Sequence, residues 1–168
     1  MIQLLYPITP EHFDEVRNLI REFISWHRQR HADDVAFTDE YFNQRAIEEE
    51  LGSLPGEYVP PRGRLWLAFY NGQPAGCVAL RGTDDHVCEM KRMFVYPRFH
   101  GKGVGRELCK AFIREAKAIG YLSIKLDTSI RQEEALGLYA KMGFKRIRPA
   151  HALSEKLLHW LIFMELKI

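Results

Sequence analysis

The sequence has no run of about 18 apolar residues, so no stretch of it reads as a membrane-spanning helix. Its start lacks the basic-then-apolar layout of a secretory leader. Cysteine is scarce. Cys77, Cys88 and Cys109 are odd in number and show no C-x-x-C, which argues against a disulfide framework and for reduced thiols in a cytoplasmic protein. Neither sign of charge dominates: 24 Lys and Arg against 22 Asp and Glu leave a net charge of +2, no mandate for nucleic acid. Repeats, low-complexity segments and linkers are missing, so 1–168 is expected to form one domain. Several catalytic signatures are missing as well. There is no G-x-S-x-G elbow. His27 and His31 have the spacing of H-E-x-x-H, but Arg28 replaces the glutamate and no third ligand is evident, so no metal is expected.

What is present is a chain that is 46% hydrophobic, ample for a core, with clear local signals. Thr9-Pro10 forms a helix start, and Phe13, Val16, Ile20, Phe23 and Ile24 recur behind it at helical spacing. A second helix is expected from Thr38 to Gly52, with Phe37 and Phe42 as a hydrophobic staple. Residues 64–70 and 74–81 flank Asn71-Gly72 and read as a hairpin. Residues 87–96 read as the next strand. Val104, Leu108, Phe112 and Ala116 then mark the buried face of a helix that Gly120 closes. A strand over 121–127 follows. Ser129-x-x-Gln132 fits a capping box for a helix running to Met142, closed by Gly143. Residues 157–167 read as a final strand. The expected order is βααβββαβαββ, an α/β fold with a mixed sheet.

Between the strand at 87–96 and the helix at 104 lies Arg98-Phe99-His100-Gly101-Lys102-Gly103-Val104-Gly105-Arg106. Glycine lets a backbone turn sharply, and the first amides of a helix lack partners and favour an anion. A glycine turn feeding a helix therefore suits phosphate. It is not a P-loop, because Gly101-Lys102 is followed by Gly103 rather than Ser or Thr. It is not the dinucleotide fingerprint, because Arg106 or Leu108 occupies the place of the third glycine.

The pattern Arg98-x-x-Gly101-x-Gly103 resembles the acetyl-CoA loop of the GCN5-related N-acetyltransferases, [QR]-x-x-G-x-[GA]. Met93-Phe94-Val95-Tyr96-Pro97 precedes it as the family's strand and proline do. Further on, Leu138-Tyr139-Ala140-Lys141-Met142-Gly143-Phe144 matches the family's L-Y-x-x-x-G-F. The resemblance implies a splayed central sheet flanked by helices. It also implies transfer of acetyl from acetyl-CoA to a primary amine of a small molecule or peptide, and allows a homodimer. A catalytically silent CoA-binding module and an acyltransferase using a longer acyl-CoA remain alternatives. By the same resemblance, amides from Gly101 through Lys102, Gly103, Val104 and Gly105 to Arg106 would hold the pyrophosphate. Arg98 would shape the turn beside His100, and the backbone of Met93, Phe94 and Val95 would run along the pantetheine arm. Tyr139 would be the general acid for the departing thiolate. Glu89 is the candidate base and Asp127 the runner-up. Alternation puts Glu89 with Lys91 and Met93 on one face, and the family's bulge on this strand would re-aim it.

Charge is unevenly spread. Residues 33–50 hold seven acidic side chains and one basic, while 98–117 hold six basic and two acidic. The basic segment suits an anionic donor. The acidic segment lies where similar enzymes border the acceptor, so it points to a cationic amine unless it is only a solvated helix face.

Overall fold

The computed structural model describes residues 1–149 and 151–168. Strand β1 (Ile2–Leu5) leads into a long helix α1 (Pro10–Arg30). Thr9 caps it, accepting from the His12 amide at 3.2 Å, and Pro10 fills the first turn as expected. Two short helices follow, α2 (Val35–Tyr41) and α3 (Gln44–Gly52), where one was expected from Thr38. The reason is local: Asp34 accepts from the Phe37 amide at 3.1 Å and Asn43 from the Ala46 amide at 3.0 Å, so each starts its own helix.

The hairpin β2 (Arg64–Tyr70) and β3 (Gln73–Gly82) turns at Asn71 and Gly72, both left-handed at φ 48° and 79°. Strand β4 (Val87–Val95) ends in a 3-10 turn, Pro97–Phe99, and helix α4 (Val104–Ile119) follows. Then come β5 (Ser123–Ser129), α5 (Glu133–Lys141), β6 (Lys145–Ile147), α6 (Glu155–Trp160) and β7 (Leu161–Lys167). The expected capping box is not made. Ser129 closes β5, bonded to His31 Nε2 at 2.5 Å and accepting from the Arg131 amide at 3.1 Å, and Gln132 accepts from Trp26 instead. The expected strand from 157 starts only at Leu161. Ser154 caps α6 before it, and Trp160 donates to Asp34 at 2.7 Å, which fixes the bend.

The seven strands lie in the order β1-β2-β3-β4-β5-β7-β6. Every neighbour is antiparallel except β4 and β5, which run parallel and pair only at 87–89 with 123–125. The sheet has two apolar faces. Along β3, Val78 and Leu80 pack beneath α4 with Leu108 and Phe112, while Cys77 and Ala79 pack beneath α1 with Val16 and Ile20. Each fully buried aliphatic or aromatic side chain contributes about 1.5–3 kcal/mol. Cys77, Cys88 and Cys109 are buried and unbridged, and burial pushes each thiol up to about 12. No helix among the described residues is long and apolar enough to cross a membrane.

Candidate active site

Beyond Glu89 and Lys125 the two parallel strands diverge, each still held by its antiparallel neighbour. The gap opens into a cavity of about 710 Å³, walled by β4, the glycine turn, the start of α4, β5, α5 and the inner side of α1.

The glycine turn forms one end. Gly103 is the N-cap of α4 with φ 86°, and no side chain caps the helix. A residue with a Cβ would be strained there. The amides of Gly103, Val104, Gly105 and Arg106 have no carbonyl partner among the described residues and point an uncompensated helix end at the cavity. Lys102 differs: its amide donates to the Phe99 carbonyl at 3.2 Å, and its side chain lies outside the cavity wall. Arg98 also lies outside the wall, its guanidinium stacked 4.3 Å from the Tyr96 ring and 4.9 Å from that of Phe99. His100 lines the wall and ties the turn to the strand, its ring Nε2 lying 2.9 Å from the Val95 carbonyl. Met93, Phe94, Val95 and Tyr139 also line the wall. The donor set at this end fits a diphosphate: free amides, a helix N-terminus and the side chain of Arg106.

Tyr139 is buried on α5, its ring tilted against that of Phe144 at 5.7 Å between centroids. Burial pushes its phenol well up, so it stays protonated and can donate.

The inner end carries charge. Glu89 is on the wall, bonded by Arg81 at 2.5 Å and 3.6 Å from Lys91. Asp127 accepts from the Tyr41 hydroxyl, and burial pushes its carboxyl up against the opposing pull of that bond. The expected bulge is present but sits later, at Arg92: Cys77 pairs with Phe94 and Ala79 with Lys91, so Val78 faces both Arg92 and Met93. Arg92 takes φ 55°, left-handed for a non-glycine residue, at a cost of about 1–2 kcal/mol. The bulge leaves Glu89 in its original alternation and re-aims Arg92 instead.

Sequence reasoning did not find Arg92, Tyr41, Trp26 or Gln132, all on the cavity wall. Nor do the acidic side chains of residues 33–50 line the cavity. Asp33 pairs with Arg131, Asp34 with Trp160 and Lys156, Glu48 with Arg21, Glu49 with Arg45 and Glu50 with Arg92. No group of three potential metal ligands occurs among the described residues, and the His27 and His31 rings stack 6.5 Å apart amid Phe23, Phe37 and Phe42.

Comparison with known proteins agrees with this geometry. Residues 19–144 match the model of the Acetyltransferase (GNAT) family. An uncharacterized N-acetyltransferase of Schizosaccharomyces pombe is 31% identical over 142 residues, 83% of this chain and 80% of that protein. The N-acetylaspartate synthetase of Danio rerio is 32% identical over 104 residues, which are 61% of this chain but 37% of that protein. Among solved structures, an acetyltransferase from Streptococcus agalactiae matches with a TM-score of 0.76 at 22% identity, covering 99% of this chain and 98% of that one. The PaiA N-acetyltransferase of Thermoplasma acidophilum, solved with coenzyme A, matches with a TM-score of 0.74 at 18% identity, covering 100% and 99%. With a family model spanning most of its length and a splayed sheet of the same architecture, the chain belongs to the GNAT acetyltransferase family.

Proposed function

We propose that the protein is an N-acetyltransferase that moves acetyl from acetyl-CoA directly to a primary amine. The observation that carries this is the cavity in the strand splay, with an uncapped helix N-terminus at one end and a buried, protonated tyrosine on its wall. The pyrophosphate sits on the amides of 103–106, and the pantetheine arm runs beside 93–95 as an added strand would. The amine nitrogen attacks the thioester carbonyl carbon. A C–N bond forms and the C–S bond breaks. Tyr139 gives its proton to the leaving sulfur, and Glu89 takes a proton from the amine, directly or through water. Solvent restores both groups. Holding amine and thioester together supplies several kcal/mol of barrier lowering, and acid and base each add about 10²- to 10⁴-fold.

Tyr139→Phe tests the reading against a silent CoA-binding module. Activity with acetyl-CoA should fall by about 10²-fold or more, while calorimetric affinity for CoA holds. Unchanged turnover would remove Tyr139 from the chemistry. A parallel series of longer acyl-CoA donors sets the acyl preference.

A further inference from the structure

Arg92 is held in an unfavourable backbone conformation, at a bulge, on the wall of the reaction cavity. Its side chain is only 15% exposed. Glu50 clamps it from α3: Nε lies 3.3 and 3.2 Å from the two carboxylate oxygens, and Nη2 lies 2.6 Å from one of them. The Tyr58 hydroxyl donates to Glu50 in turn. These bonds use Nε and Nη2 and leave Nη1 without a protein partner among the described residues. A rigid guanidinium fork with a free edge is the group best matched to a carboxylate.

Arg92 does not belong to the anion cradle of the donor. It precedes 93–95, the stretch assigned to the pantetheine arm, and those three residues of strand, about 10 Å long, lie between it and the glycine turn. The charges of the inner cavity wall also balance, with Glu89 and Asp127 against Lys91 and Arg92. A polyamine would set extra positive charge against two cations, and a simple acid would set negative charge against two carboxylates. A molecule with one of each meets both pairs.

Resting on the transfer reaction proposed above, we infer that the acceptor is an amine that also bears a carboxylate, an amino acid or a short peptide carboxylate. Arg92 binds the carboxylate, and the amine lies toward Glu89 and Asp127.

The test is a thiol-release assay with acetyl-CoA and matched acceptors: alanine, phenylalanine and lysine against their amides and against ethylamine, phenethylamine and cadaverine. Amino acids should be acetylated, with KM lower than that of the amide or bare amine by about 10- to 100-fold, the loss expected for one charged hydrogen bond. The double variant Arg92→Gly with Glu50→Gln removes both charges and gives the left-handed position the residue that favours it. It should raise KM for amino acids by the same factor and leave kcat and CoA affinity nearly unchanged. Arg92→Lys keeps the charge without the fork, and should fall between. Bare amines acetylated as well as amino acids, or an unchanged KM in both variants, would overturn the inference and leave the transfer reaction standing. Silence of the whole panel with acetyl-CoA still bound would overturn the reaction, and the inference with it.

Discussion

Glu89 and Asp127 are two carboxylates on one cavity wall with different surroundings. Glu89 is paired with Arg81 and near Lys91, while Asp127 is more deeply buried, bonded by the Tyr41 hydroxyl and facing the charges of Lys91, Glu89 and Arg92. Burial therefore dominates at Asp127 and raises its pKa. A carboxyl whose folded pKa lies above its unfolded value favours folding most below the unfolded pKa. That contribution is lost as pH rises through the folded pKa. Asp127 is thus a stability cost at neutral pH. Asp127→Asn keeps an acceptor for Tyr41 and removes the buried charge, so its urea midpoint should exceed that of the parent at pH 7 and converge with it near pH 3. Glu89→Gln should instead lower kcat/KM by about 10²- to 10⁴-fold with little change in stability. If Asp127→Asn lost activity and Glu89→Gln kept it, the base would be Asp127.

On the scale of elements, α1 does two jobs. One face buries Val16, Leu19, Ile20 and Ile24 against the sheet. Its last turns reach over the cavity to α5, through Trp26 to Gln132 at 3.1 Å and Arg30 to Glu134 at 2.5 Å. His27 sits between these parts without a hydrogen-bond partner at either ring nitrogen among the described residues. Burial, then the charges of His31 and Arg30, hold its pKa down from 6.5 to about 3. A lowered histidine pKa stabilises above the unfolded value, and that stability drains as pH falls. The slope is about 1.4 kcal/mol per pH unit below that value. His27→Phe, set among Phe23 and Phe42, should therefore lose less stability between pH 6.5 and 4.5 than the parent. Equal losses in urea unfolding would assign the acid sensitivity elsewhere.

The same elements show what could be read in advance. The Asn71-Gly72 hairpin, α4 with its glycine turn and Gly120 cap, and the end of α5 at Gly143 carry signals within a few residues of chain, and these elements form close to their expected bounds. The split of α2 from α3 was missed although its signals were local, in Asp34 and Asn43. The unmade capping box and the bend that delays β7 to Leu161 were illegible for another reason. They depend on pairs far apart in sequence: Gln132 with Trp26, Ser129 with His31 and Trp160 with Asp34. The site divides likewise. The uncapped start of α4 was legible because glycine spacing encodes it. Arg92 was not, because its aim is set by the register of β3 against β4. The acidic side chains of 33–50 could not be assigned a role in advance, because most of them find their cations on other elements.

At the scale of the whole molecule, the sheet is two halves, β1 to β4 and β5 to β7, joined along their strands only at 87–89 and 123–125. Below that short seam the halves are held by the α1–α5 contacts and by packing under α4. A donor lying in the splay touches both halves, so binding should act as a brace rather than as a local clip. Ligand at about 100 times its Kd adds roughly 2.7 kcal/mol, which for a chain of this size raises Tm by about 5–10 °C. Hydrogen exchange locates the brace. With CoA bound, amides in the second half of β4, the first turn of α4, the end of β5 and the start of α5 should all slow together. If slowing were confined to the first turn of α4 while Tm still rose, the ligand would be resting on the glycine turn without spanning the splay, and the thioester would not reach Tyr139.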